Sequence, residues 1–217
     1  MKTDTQLKTD ITRELEWDSS INATNVGVGV KDAIVTLTGH LDTYAEKYAI
    51  ERAVQRVQGV KAVAVELDVK LAPDHKRSDA EIASAIESAF RWHVFIPAER
   101  IRVKVEKGWV SLTGEVDWEY QRSTCEKTVR PLTGVIGVTN SITLRAQVPP
   151  ADINNRIRDA LTRQAEREAR NIEVMVNGST VTLRGKVHSW AERMAVQGAS
   201  WSAPGITHVV NELTVSS

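Results

Sequence analysis

Apolar residues recur at every fourth position in three places along the chain: Leu7, Ile11, Leu15; Ile82, Ile86, Phe90; and Ile153, Ile157, Leu161. That spacing places one apolar stripe on an amphipathic helix. Asp4 and Asp79 lie near the start of the first two stripes, where a helix N-terminus favours negative charge. Each stripe is followed by a run of period two: Val26, Val28, Val30; Ile101, Val103, Val105; Ile172, Val174, Val176. Alternating β-branched residues predict a strand with one buried face. A short turn (31–33, 106–108, 177–179) leads to Val35 and Leu37, Val110 and Leu112, Val181 and Leu183. The pair of runs predicts a β-hairpin.

Leu-Thr-Gly at 37–39, Leu-Thr-Gly at 112–114 and Leu-Arg-Gly at 183–185 close the three hairpins. Gly39, Gly114 and Gly185 lie 75 and 71 residues apart, and each is followed 20 residues later by Gly59, Gly134 or Gly205. Such a fixed period is the mark of internal repeats. A second helix fills each interval, with Ile50, Cys125 and Val196 at one inward position and Ala53, Thr128 and Ala199 at another. The later glycine stops that helix, because glycine takes the left-handed conformation cheaply. A last strand follows: Val63, Val65, Leu67; Val138, Asn140, Ile142; Val209, Asn211, Leu213. The chain is thus predicted to be α+β, three tandem α-β-β-α-β units at 1–72, 78–146 and 149–217, joined by proline-containing linkers.

The crossover should set the third strand parallel to the second, with both helices on one sheet face. Outward positions are mostly polar: Thr36, Thr38, Ser111, Thr113, Thr182, Arg184. Gly27 and Gly29 are outward in the first unit and would let another backbone approach closely, from a neighbouring repeat or another subunit.

Composition narrows the function classes. With 28 Lys and Arg against 28 Asp and Glu, the net charge is zero. A protein that coats nucleic acid needs excess positive charge to displace counterions, so no nucleic-acid partner is expected. Attraction to anionic lipid by net charge is disfavoured too. The single cysteine, Cys125, cannot form an internal disulfide or a Cys-rich zinc site. The N-terminal ten residues carry acidic groups and no apolar core, unlike a secretory signal. No stretch approaches the roughly 18–20 apolar residues of a membrane span.

The α-β-β-α-β unit of 60-odd residues, with Leu-x-Gly-x-Val and a second glycine 20 residues on, resembles the BON domain. The resemblance covers nearly the whole chain, and its markers are the structural glycines Gly39, Gly59, Gly114, Gly134, Gly185 and Gly205. It implies a bacterial, non-enzymatic protein linked to osmotic or envelope stress, of a kind often proposed to bind phospholipid. Members often reside in the periplasm or accompany secretins, mechanosensitive channels or a peptidoglycan-binding module; some act in potassium binding or chaperoning. Here no signal peptide and no accompanying module are seen. The expected compartment is the cytoplasm for the sequence as given, or the periplasm if the precursor begins further upstream.

Side-chain chemistry is sparse. The five histidines do not recur at equivalent positions or at ligand spacing, so no metal site is expected, and no cofactor. Gly27-Val28-Gly29 falls mid-strand, not in a phosphate loop. No nucleophile elbow, paired carboxylates or HExxH is present, so no catalytic residue is assigned. Six tryptophans stand out. Trp17 and Trp92 are equivalent at the end of the first helix, with Arg163 in the third unit. Tyr44, Trp118 and Trp190 fall where the second helix begins, and Trp201 aligns with Gln55 and Arg130 in a solvent-facing position. These rings either pack between repeats or meet a partner or bilayer interface, where tryptophan prefers to sit. Arg100, Arg102 and Lys104 form a basic stripe beside Glu99, Glu106 and Glu115. The candidate contact set is therefore Tyr44, Trp118, Trp190, Trp201, Arg100, Arg102 and Lys104. The function expected is recognition of phospholipid or an envelope-associated partner; the alternatives are a cytoplasmic protein-interaction or chaperone-like scaffold, or a potassium sensor.

Overall fold

The structure, a computed structural model, describes residues 2–145, 153, 155, 157, 159 and 172–215. The first unit runs α1 (Asp4–Trp17), β1 (Val26–Lys31), β2 (Ile34–Leu41), α2 (Tyr44–Arg56), β3 (Ala62–Val69). The second runs α3 (Asp79–Trp92), β4 (Ile101–Glu106), β5 (Trp109–Val116), α4 (Glu119–Val129), β6 (Gly137–Leu144). In the third, Ile153, Asn155, Ile157 and Asp159 are helical, followed by β7 (Ile172–Asn177), β8 (Thr180–Val187), α5 (Trp190–Trp201) and β9 (His208–Val215). Leu161 and Arg163 lie outside the described residues.

Helices α1, α2 and α3 start for a local reason. Thr3, Thr43 and Ser78 accept the amide of the third helical residue, and Gln6, Glu46 and Glu81 return the bond to the capping residue's own amide. These reciprocal boxes satisfy amides that a helix start leaves unpaired. The predicted stripes are the buried ones: Leu7, Ile11 and Leu15 on α1, and Ile82, Ile86 and Phe90 on α3. Asp4 and Asp79 also have a second task. The Asp4 carboxylate accepts the amides of Asp32 and Ala33 at 2.9 and 3.0 Å, and that of Asp79 accepts those of Lys107 and Gly108 at 2.8 Å. These turn residues have positive φ, as the tight hairpin turn requires, and one carboxylate thereby fastens turn to helix. Pro150 stands at this position in the third unit's sequence.

Within each unit the middle strand is central: its hairpin partner is antiparallel and the last strand is parallel to it, as the crossover predicts. Three cores form, one per unit. The outward strand positions Thr38, Thr113 and Arg184 are exposed. Gly39 and Gly114 have φ of 126° and 139°, and a Cβ there would stand 2.0 Å from the Asn25 carbonyl oxygen and 2.2 Å from that of Arg100. The repeated glycine is therefore set by backbone approach at the start of the hairpin's first strand.

The units meet through their second helices. Tyr44, at the start of α2, packs on the core of the second unit, and Arg130, just past the end of α4, lies 3.6 Å above the Tyr48 ring. Trp190, at the start of α5, packs on the core of the first unit and donates its indole N–H to the Lys61 carbonyl at 3.1 Å. Arg122 of α4 lies 4.9 Å over the Trp201 ring. Trp201 is thus half-buried, not solvent-facing as the helix alignment suggested: the neighbouring unit covers that helix face. The Gly27 and Gly29 face is exposed, so the close approach expected there from a neighbouring repeat is made instead through the second helices.

Candidate functional site

The second unit differs from the first at the end of its first helix. After Trp17 the first unit continues Asp18-Ser19-Ser20; after Trp92 the second continues His93-Val94-Phe95. The Asp18 carboxylate accepts from Ser20 and Arg56, which close that turn with polar contacts and hold its pKa below the usual range. In the second unit the same turn carries apolar groups into water. Trp92 is 91% exposed and Val94 89%. Phe95, 55% exposed, meets Tyr120 of α4 edge to face with ring centroids 5.8 Å apart. His93 lies 5.9 Å from Phe95, and its Nδ1 accepts the Phe95 amide at 3.4 Å, which orders the turn.

Trp118 precedes Tyr120 by two residues. It occupies the N-cap position of α4, where Thr43 and Ser189 cap the corresponding helices. An indole has no oxygen to accept the helix amide, so half the box remains: Gln121 Oε1 accepts the amides of Asp117 and Trp118, both at 3.1 Å. Tryptophan in a capping position sacrifices local helix stability. Trp92, Val94, Phe95, Trp118 and Tyr120 are all among the exposed large apolar residues. Isolated exposed apolar side chains need no explanation, but several close in sequence, two of them, Phe95 and Tyr120, in ring contact, mark an interaction surface.

The seven residues singled out from the sequence do not form one site. Tyr44, Trp190 and Trp201 are half-buried between units, and burial pushes the Tyr44 hydroxyl's pKa up. Trp118 is exposed at the start of α4, two residues before Tyr120. The basic stripe is on β4 and just before it. Arg100 pairs with Asp117 at 2.8 Å, and Lys104 pairs with Glu106 at 2.9 Å, which raises the lysine's pKa. Arg102 is exposed and, among the described residues, has no acidic partner. Sequence reasoning missed Val94, Phe95 and Tyr120. The signal was the replacement of Ser19-Ser20 by Val94-Phe95 at matched positions of two repeats.

Cys125 is fully buried in the second core, and desolvation raises its pKa to about 11. A neutral buried thiol acts as a small apolar side chain. Among the described residues no group of three or more His, Cys, Asp or Glu could hold a metal ion, and no helix is long and apolar enough to cross a membrane.

Three tandem α-β-β-α-β modules with an exposed aromatic end define a repeat protein of the α+β class. The chain belongs to the BON domain family, which matches residues 3–70, 78–146 and 150–217. It is similar to osmotically-inducible protein Y of Escherichia coli K12, with 25% identity over 127 residues; the match spans 57% of this chain and 63% of that protein. Among solved structures, it resembles CdsD, described as a structural protein of the type III secretion system of Chlamydia trachomatis, at 14% identity. One such structure covers 96% of this chain and 91% of its own, with a TM-score of 0.26. The CdsD C-terminal domain covers 100% of both chains with a TM-score of 0.27. At those TM-scores neither likeness carries an argument.

Proposed function

We propose that this protein is a non-catalytic binding protein of a bacterial stress response, and that it recognises a phospholipid surface through the aromatic end of its middle unit. The stress assignment is supported by the relative named as osmotically inducible. The recognition is supported by one observation above all: beside the exposed Trp92, Val94 and Phe95 also project into water, from a turn that the first unit, after its equally exposed Trp17, makes with the polar residues Asp18, Ser19 and Ser20. Each such side chain gains about 1.5–3 kcal/mol on full burial, and tryptophan favours the interfacial zone of a bilayer. The electrostatic contribution is small, because the chain has no net charge and Arg100 and Lys104 are already paired.

The test is flotation with anionic and zwitterionic vesicles at low and physiological salt. The expected result is binding to both that survives salt, and that weakens at least tenfold in the double variant Trp92→Ser, Phe95→Ser. Binding confined to anionic vesicles and abolished by salt would move recognition to Arg100, Arg102 and Lys104. Failure to float under any condition would overturn the lipid reading and favour a protein-interaction scaffold.

A further inference from the structure

The three joints between units use equivalent positions but different chemistry. The first residue of the second helix is Tyr44 in the first unit, Glu119 in the second and Trp190 in the third. Two of these are aromatic plugs. Tyr44 enters the packing of the second unit's core, and Trp190 that of the first, anchored to the Lys61 carbonyl. The second unit has a carboxylate, Glu119, in that place, and among the described residues no apolar side chain of the second unit packs on the third core. Glu119 is half-buried, and its partner is Arg122 of its own helix at 2.6 Å, so the ion pair spends itself within the second unit.

The same Arg122 reaches the third unit, where its guanidinium lies 4.9 Å over Trp201. A cation–π contact of this kind is weaker than burial of a whole aromatic ring in a core. The corresponding contact at the first joint, Arg130 over Tyr48, is closer at 3.6 Å and is reinforced by Glu126. The first joint therefore has a plug and a stacked arginine, and the third-to-first joint has a plug with a hydrogen bond. The second-to-third joint has the stacked arginine, and where the other two units carry a plug the second carries a half-buried carboxylate, a group costly to bury.

We infer that the joint between the second and third units is a built-in hinge: the third unit swings away from α4 while remaining attached to the first through Trp190. Opening returns Glu119 and Arg122 to water and uncovers Trp201. Glu119 and Arg122 share the first turns of α4 with Trp118 and Tyr120, so the hinge borders the aromatic end of the middle unit without being part of it.

The test measures distances between spin labels in the full chain. Thr38, Thr113 and Arg184 are exposed, equivalent positions on the three sheets. Each pair is changed to cysteine in a Cys125→Val background, valine being the third unit's residue at that position. The 113–184 distribution should be at least twice as wide as the 38–113 and 38–184 distributions, and Glu119→Tyr should narrow it to match them. Three equally narrow distributions, or a 113–184 width that Glu119→Tyr leaves unchanged, would overturn the hinge. The converse variant Tyr44→Glu tests the same logic even if Glu119→Tyr does not fold. It should widen the 38–113 distribution, and an unchanged width there counts equally against the proposal.

Discussion

Gly114 shows how one residue is dictated by its surroundings. Its φ of 139° is one that side chains other than glycine rarely adopt, and an added Cβ would stand 2.2 Å from the Arg100 carbonyl oxygen. Gly114→Ala should therefore destabilise the second unit by about 2–4 kcal/mol, read from urea unfolding. Glu51 shows the opposite kind of constraint. Desolvation raises its pKa, against the pull of Lys47 and Arg130. A carboxyl whose folded pKa is raised holds its proton more tightly in the native state, so its charged form costs stability above that pKa, and the cost is relieved as pH falls through it. Glu51→Gln should stabilise the protein at pH 7 in denaturant unfolding, and the gain should shrink as pH falls through the raised carboxyl pKa. Cys125, buried and with a raised pKa, should resist thiol reagents at pH 8 until the chain is unfolded.

At the scale of elements, the helix starts make a sharp comparison. Thr43 and Ser189 cap α2 and α5, whereas Trp118 leaves α4 without a side-chain acceptor. Trp118→Thr should stabilise the second unit by about 0.5–2 kcal/mol in denaturant titration, while removing an exposed ring. Most elements were legible from pattern alone, because period four on the helices and period two on the strands survive in all three units. The parallel third strand followed from the crossover. Less legible were roles that depend on a second element. Asp4 and Asp79 read as helix-start residues, and their grip on the hairpin turn needed the fold to bring 28 residues of separation together. Asn140, on an inward strand position, is satisfied by the Arg122 carbonyl and Glu126 of α4, a contact that no local spacing announces.

At the scale of the whole molecule, the limits of single-unit reasoning are clearest in the tryptophans. Trp201 aligns with Gln55 and Arg130, which suits a solvated helix face, yet that face is where one unit meets the next. The two most exposed tryptophans, Trp17 and Trp92, are those at the ends of first helices. Trp92 alone is followed by the exposed Val94 and Phe95, the latter in ring contact with Tyr120, and this end of the middle unit is where we propose binding. The most direct measurement is tryptophan quenching by bromine-labelled lipids in vesicles, comparing the wild type with Trp92→Phe, which keeps an aromatic ring but removes the indole. The account predicts quenching in the wild type, and loss of most of it in Trp92→Phe while flotation persists. Spectra identical with and without vesicles, or quenching that Trp92→Phe leaves intact, would contradict it.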